Sequence, residues 1–231
     1  MSLLYVAAWP DLPARPARAT LGGVDDDEEL VARCQSGDSL AFSALFRRHR
    51  GSVARLIQRL GVRPSDQDDL LQEAFVQVHR SLPDFRGQSR FGTWLYRVTV
   101  NVVLMHRRTL RSRPLLGEPP PWSPLPSEQL LPDDEMAKSR RVAALYRLLD
   151  KLSDKKRAVF VLHELEGIEP AEIGKIVRAP VLTVRTRLFY ARRELMALMR
   201  EDPLLAGIAD ELSAADSDRP KPRLPAREPA R

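Results

Sequence analysis

The sequence predicts an all-α protein in which a proline-rich linker joins two small helical domains. Fifteen of the 19 prolines fall in three segments, residues 1–24, 112–138 and 203–231. Proline interrupts helices and central strands, so these segments delimit two blocks, 25–111 and 139–202. Within the blocks, apolar residues recur every three or four positions, as in amphipathic helices. We therefore expect a disordered arm, a helical domain, a linker, a second helical domain and a disordered tail.

Four helices are predicted in the first block. The acidic residues 25–29 suit the positive N-terminal end of the first helix. A turn at Gly37 precedes the second helix, and Gly61 ends it. Ser65, which has an aspartate three residues later, is predicted to cap the third helix. After a short loop, the apolar pattern predicts a fourth helix over about 91–110. The block is therefore expected to be a four-helix bundle.

The second block contains a predicted helix-turn-helix. Ser153 is expected to cap an earlier helix. A short helix, 170–178, starts at a proline, which is favoured at the first helical position. After a turn, a longer helix runs over about 183–200, and Pro203 stops it. An α-helix fits the DNA major groove. The alternative is a helical hairpin whose basic face is simply solvated. The candidate DNA-binding side chains of the longer helix are Arg185, Thr186, Arg187, Phe189, Tyr190 and Arg193.

The net charge of +6 is concentrated in two stretches that contain no acid. Seven arginines lie between Asp84 and Glu118, and six lysines and arginines lie between Glu172 and Glu194. Each predicted domain holds one of these stretches, although the last few residues of the first stretch lie in the predicted linker. Basic stretches of this kind favour a nucleic-acid partner.

Aromatic residues are interleaved with arginines in the segment FRGQSRFGTWLYRVTVN. Flat rings stack on unpaired bases and arginines follow the backbone, so the pattern suits single-stranded DNA. Asn101 lies two helical turns after Trp94, on the same helix face, and an amide can bond a base edge. The alternative is that Trp94 and Tyr96 belong to the hydrophobic core. The candidate residues are Arg90, Phe91, Trp94, Arg97 and Asn101.

Upstream, the segment DDLLQEAFVQVHRSL combines an acidic edge with an apolar stripe. A charged edge beside an apolar stripe is ordinary for a helix, and it is also compatible with a surface that binds a partner helix. The candidate residues for this surface are Asp68, Asp69, Leu71, Gln72 and Glu73.

Other function classes are disfavoured by what the sequence lacks. The single cysteine, Cys34, excludes a disulfide framework and a cysteine-rich zinc site within the chain. The four histidines are scattered without metal-ligand spacing, and neither a P-loop nor a Gly-x-Ser-x-Gly motif occurs. We expect no enzyme, no cofactor, no metal and no small-molecule substrate. No apolar run reaches about 18 residues, so a cytoplasmic protein without membrane insertion is expected.

Taken together and in this order, the three motifs resemble an extracytoplasmic-function (ECF) sigma factor of bacterial RNA polymerase. The resemblance implies that 25–111 is sigma domain 2 and that 139–202 is sigma domain 4. DDLLQEAFVQVHRSL would then dock on the clamp of the polymerase large subunit, and FRGQSRFGTWLYRVTVN would melt and hold the promoter −10 element. The helix-turn-helix would bind the duplex −35 element, with domain 4 on the polymerase flap. An anti-sigma factor is the regulator that the resemblance implies.

The helix-turn-helix departs from the family pattern at three positions. Arg178 and Leu182 stand where the family commonly has glycine, and a left-handed backbone there costs a non-glycine residue about 1 kcal/mol. Tyr190 stands where arginine is frequent, so the −35 sequence preference is expected to differ. The alternative function is a helix-turn-helix regulator that binds duplex DNA without polymerase.

Overall fold

The computed structural model describes residues 24–112 and 133–217, and all regular structure in these residues is helical. The all-α prediction is therefore confirmed. The predicted arm, apart from Val24, lies outside the described residues, as do most of the predicted linker and residues 218–231 of the predicted tail. Buried apolar side chains from both blocks form one continuous cluster, so the two helical domains pack against each other.

The first domain consists of four helices and a short 3₁₀ turn. The side chain of Asp38 caps the second helix by accepting hydrogen bonds from the backbone N–H groups of Leu40 and Ala41. Gly61, with φ of +77°, follows the end of that helix as predicted. The elements are α1 (Val24–Gln35), α2 (Ser39–Arg59), α3 (Pro64–Ser81), the 3₁₀ turn (Leu82–Asp84) and α4 (Phe91–Ser112).

The predicted cap of α3 is wrong. The helix begins two residues earlier than expected, at Pro64, and Arg63 occupies the N-cap position. Proline is well suited to the first helical position because its missing N–H group would have no partner there. Ser65 therefore lies inside the helix, and its hydroxyl donates to the carboxylate of Asp66 at 2.8 Å.

The second domain consists of five helices, one more than expected. Ser153 occupies the predicted N-cap position of the second of them, although its side chain makes no capping hydrogen bond. The helices are α5 (Asp133–Lys151), α6 (Asp154–Phe160) with its π-helical extension (Val161–Leu165), α7 (Pro170–Val177), α8 (Val181–Glu201) and α9 (Ala206–Ser217).

The predicted linker, 112–138, is too long at its C-terminal end. Helix α5 starts at Asp133, so residues 133–138 are helical. The last proline of the linker is Pro132, and no proline interrupts the chain after it until Pro170. The acidic residues 133–135 also suit the positive end of a helix, so the signal for this start is present in the sequence.

The predicted disordered tail, 203–231, is wrong for its first half. Pro203 does end α8, but the chain then forms α9, which packs on α8. Leu205, Ala209 and Leu212 are buried. Their spacing of four and three residues is the pattern of an amphipathic helix, and the proline-rich composition of the tail as a whole hid it.

Helix α7 ends in a left-handed residue, Arg178, with φ of 49° and ψ of 55°. Among the described residues it is the single non-glycine residue with positive φ, and Leu182 lies inside α8. The expected backbone strain is therefore at Arg178 alone. The turn is tight because the N–H of Ala179 bonds the carbonyl of Gly174 at 3.0 Å. A Cβ at Gly174 would lie 2.8 Å from the carbonyl oxygen of Ala179, so glycine is required there.

Replacing Arg178 by glycine is expected to stabilise the protein by about 0.5–1 kcal/mol. Relief of roughly 1–2 kcal/mol of left-handed strain exceeds the backbone entropy that glycine adds to the unfolded chain. Thermal unfolding measures the gain as a midpoint that rises by a few degrees. Arg178→Gln is the matched control, because it removes the charge near Arg97 but keeps the strain. An equal gain in both variants would assign the effect to charge repulsion.

Candidate nucleic-acid interface

The helix-turn-helix separates an apolar face from a basic and aromatic face. Val184, Leu188, Ala191 and Leu195 are buried on the inner side of α8, as the apolar spacing predicts. Five of the six candidate DNA-binding side chains are exposed, and Arg187 is half-buried. The rings of Phe189 and Tyr190 pack edge to face with centroids 5.4 Å apart. The outer side of α8 is therefore an accessible surface on which the six candidate side chains are brought together: Arg185, Thr186, Arg187, Phe189, Tyr190 and Arg193.

The aromatic residues at the start of α4 are buried. Phe91 is 4% exposed and Trp94 is 6% exposed. The Trp94 ring lies 5.0 Å from that of Phe85 and 5.8 Å from that of Phe91, measured between centroids. Tyr96 is buried as well. The interpretation of Trp94 and Tyr96 as core residues fits this burial.

The polar candidates of the same segment are accessible. Arg90 and Asn101 are exposed and Arg97 is half-buried. Burial lowers the pKa of the Arg97 guanidinium, and the positive charge of Arg178 acts in the same direction. Arg97 thus lies near the helix-turn-helix of the other domain, although it stays charged at neutral pH because arginine titrates far above it.

A groove of about 450 Å³ runs between α3 and α4 next to Asn101. Met105, one turn beyond Asn101, is 71% exposed at the groove. The groove places Asn101, a candidate for DNA binding, beside Glu73, a candidate for partner binding. Its other lining residues include Leu70, Gln77 and His106.

The acidic candidates of α3 form one continuous face. Asp68, Asp69, Gln72 and Glu73 are exposed, and Leu71 is half-buried. Val76 lies four residues beyond Gln72 and is 41% exposed, so it extends this face with an apolar side chain. Its helical spacing was the available signal, and the sequence prediction missed it.

A buried polar cluster joins the two domains around Glu166. Glu166 is 2% exposed, and its carboxylate accepts hydrogen bonds from Arg59 at 2.7 Å and from the Tyr96 hydroxyl at 3.3 Å. Arg59 also donates to the Leu165 carbonyl at 2.8 Å. Burial raises the pKa of the Tyr96 phenol, and the Glu166 carboxylate acts in the same direction, so the phenol remains a donor. We call these three side chains the Glu166 cluster.

Further polar contacts surround this cluster. Arg107 of α4 donates to Asp154 at 2.8 Å, and Arg111 bonds the same carboxylate. The hydroxyl of Thr93 donates to Glu172 of α7 at 3.1 Å. The interface between the two domains thus covers the side of α4 that carries Thr93. It also involves α7, the first helix of the helix-turn-helix.

Arg157 of the second domain inserts against the turn at Gly61. Its side chain is 1% exposed and pairs with Asp150. A Cβ at Gly61 would lie 1.7 Å from Nη2 of Arg157, so any side chain there would displace the guanidinium, and the positive φ of Gly61 favours glycine as well. The contact between Gly61 and Arg157 joins residues that are 96 positions apart in the chain, and the contact between Arg59 and Glu166 joins residues that are 107 positions apart. No local pattern could therefore have revealed this interface.

Among the described residues, no group of three or more His, Cys, Asp or Glu side chains is arranged to hold a metal ion. In the part of the chain that the structure describes, none of the helices is both long and apolar enough to cross a membrane.

Comparison with known proteins agrees with this geometry. The family model of sigma-70 region 2 matches residues 45–113, and that of sigma-70 region 4 matches residues 143–195, together 122 of the 231 residues. The ECF RNA polymerase sigma-E factor of Haemophilus influenzae is 33% identical over 184 residues, which cover 72% of this chain and 91% of the relative.

The chain belongs to the ECF sigma factors. It is thus an RNA polymerase sigma factor, as the three sequence motifs implied, and the family is one of non-catalytic transcription initiation factors. Each sigma-70 region falls in one of the two helical domains: the region 2 match starts within α2 and includes α3 and α4, and the region 4 match runs from within α5 to within α8.

Two solved structures resemble this sigma factor. CnrH in complex with the cytosolic domain of CnrY has a TM-score of 0.57 and 29% identity, with 77% of this chain and 99% of that chain covered. The sigma factor RpoE of Bartonella quintana, in complex with the anti-sigma factor NepR, has a TM-score of 0.55 and 17% identity, with 70% and 98% covered. The second likeness concerns the fold alone.

Proposed function

We propose that three surfaces of this sigma factor serve three steps of transcription initiation. The acidic face of α3 binds core RNA polymerase, the accessible residues of α4 hold the melted −10 strand, and the outer side of α8 recognises the −35 duplex. The observation that carries the proposal is the division of α8, whose apolar residues are buried while its basic and aromatic residues are exposed. Domain 2 comprises α1 to α4, and domain 4 comprises α5 to α8 with α9 as an addition.

Recognition of the −35 element follows from the chemistry of α8. Arg185 and Arg193 are exposed, and arginine bonds guanine bidentately or neutralises phosphate. Phe189 and Tyr190 add apolar and hydroxyl contacts. The positive N-terminal end of α8 favours a phosphate group. The mixture is suited to duplex DNA, in which phosphates fix the position and base edges give the specificity.

Within the segment proposed to bind the melted −10 strand, the accessible polar residues and the buried aromatic residues have different roles. Arg90, Arg97 and Asn101 are accessible and supply contacts to phosphates and to a base edge. Phe91 and Trp94 are buried, and we assign them to positioning the start of α4 while the two domains pack against each other. Stacking of Phe91 or Trp94 on a base requires that this aromatic cluster open.

The acidic face of α3 suits a basic helical surface on core polymerase. Asp68, Asp69 and Glu73 supply the charge, and Leu71 with Val76 supplies apolar area. Following the family resemblance, we assign this contact to the clamp of the large subunit and assign domain 4 to the flap. An anti-sigma factor is the proposed regulator, since RpoE of Bartonella quintana, which has this fold, was solved with one. Because its partners are polymerase and DNA, we place the protein in the cytoplasm.

Run-off transcription with core polymerase on a promoter library tests the proposal. Initiation at selected promoters should depend on the added protein, and duplex DNA binding without polymerase should be weak. Charge reversal at Asp69 should abolish initiation by preventing holoenzyme assembly, whereas charge reversal at the exposed Glu29 of α1 should not. Tight duplex binding without polymerase, together with no initiation, would favour the regulator alternative.

A further inference from the structure

Leu182 is an exposed leucine at the start of the helix that is proposed to bind the −35 duplex. It is the second residue of α8 and is 74% exposed. In a helix-turn-helix, residues at the N-terminal end of the second helix contact base edges in the major groove. The position of Leu182 is therefore one from which a side chain reaches bases.

The exposed apolar surface continues along one side of α8. Phe189 lies seven residues, or two turns, after Leu182 and is 60% exposed. Thr186, between them, donates its hydroxyl to the Leu182 carbonyl at 2.9 Å. Because that hydroxyl is bonded within the helix, the line from Leu182 to Phe189 offers mainly apolar groups to a partner.

The charge around this line identifies DNA as the occupant. Arg185 and Arg193 flank it and are exposed, and no acidic residue occurs between Glu172 and Glu194. A polyanion is attracted to such a surface. In the major groove, thymine is the base that offers an apolar group, its C5-methyl. Leucine has no hydrogen-bonding group in its side chain, so its contribution to specificity has to come from this contact.

We propose that Leu182 is a specificity-determining residue that packs against the C5-methyl group of a thymine in the −35 duplex. Phe189, two turns and about 10.5 Å further along the helix, takes a second thymine methyl. The inference rests on the proposed function of α8. Burial of one methyl group predicts a preference of about fourfold for thymine over uracil at the Leu182 position.

Two promoter libraries with a randomised −35 element test the inference. One is synthesised with dTTP and the other with dUTP, which supplies the same hydrogen-bonding edge without the methyl group. Holoenzyme assembled from the full chain and core polymerase selects promoters from each. We expect thymine to be enriched at the Leu182 position in the first library. In the second library, the enrichment of uracil at that position should be about fourfold lower. Leu182→Ala should lose the thymine preference at one position only.

Leu40→Ala is the matched control, because Leu40 of α2 is also 74% exposed but lies in domain 2. It should leave both selections unchanged. Equal enrichment of thymine and uracil would overturn the inference, since the base would then be recognised through its hydrogen-bonding edge. An unchanged preference in Leu182→Ala would overturn it as well, and would favour a protein partner for this leucine. A holoenzyme that initiates without selecting any −35 sequence, or does not initiate, would overturn the proposed function too.

Discussion

Glu166→Ala is expected to release the two domains of the protein from each other. The substitution leaves the Arg59 guanidinium buried without its carboxylate partner, and it removes the acceptor of the Tyr96 hydroxyl. Breaking a buried ion pair by removing one partner costs about 3–5 kcal/mol. The equilibrium between packed and separated domains should therefore shift by a factor of about a hundred to a few thousand. Small-angle X-ray scattering measures the separation as a larger radius of gyration.

Two further variants test whether the effect comes from the ion pair. Lys156→Ala removes a pair within domain 4, with Glu194 at 2.5 Å, and should leave the radius of gyration unchanged. The double variant Arg59→Met with Glu166→Leu replaces both charges by apolar groups, which is often nearly neutral. The Tyr96 hydroxyl still lacks its acceptor, so this variant should recover most, but not all, of the compact form. An unchanged radius in Glu166→Ala, at unchanged helix content, would mean that the Glu166 cluster does not hold the domains together.

The closed arrangement has a consequence for promoter binding. The −10 and −35 elements are centred roughly 25 base pairs apart, so about 85 Å of duplex separates them. Two touching domains of about 30 Å each do not span that distance. Under the proposed roles of α4 and α8, the domains therefore have to separate before both elements are bound. Because an opening step reduces apparent affinity by the fraction of open protein, holoenzyme with Glu166→Ala should bind promoter DNA more tightly than holoenzyme with the unchanged protein does. A fluorescence titration of each holoenzyme with promoter DNA measures this gain.

The helices could be predicted from the sequence where local chemistry decides them. The spacing of Val184, Leu188, Ala191 and Leu195 gave the inner face of α8, and Gly61 gave the end of α2. The proline content of the whole segment 203–231 conceals helix α9 in the sequence. Its buried positions, Leu205, Ala209 and Leu212, carry the same periodicity that predicted the other helices.

The sequence predicts which residues belong to the candidate site, but it does not predict which of them are exposed and which are buried. The segment around Trp94 has both the composition of a base-stacking surface and the periodicity of a core helix, and periodicity alone does not distinguish the two. The contact between Arg59 and Glu166 joins residues 107 positions apart. It depends on how two separately folded helical units pack, and this is not encoded in any short window of sequence.

Asn101→Ala and Trp94→Ala are expected to fail in different ways, although both residues belong to the proposed −10 segment. Asn101 is exposed, so its replacement should leave the free energy of unfolding nearly unchanged. The loss of its amide removes a contact to a base edge, worth about 1–3 kcal/mol. We expect promoter melting to fall by about tenfold to a hundredfold while core binding stays intact. Permanganate reactivity of unpaired thymines at the −10 element measures the melting.

Trp94→Ala should instead destabilise domain 2. Its ring packs against Phe85 and Phe91 and is 6% exposed, and truncation of a buried tryptophan costs about 3–5 kcal/mol. Thermal unfolding should show a large decrease in the midpoint, and both core binding and melting should fall. Ser43→Ala, an exposed polar position on α2, is the control for both variants and should change neither. If Trp94→Ala unfolds at the normal temperature and loses melting alone, Trp94 acts on the melted strand directly, and the protein must expose it when the domains separate.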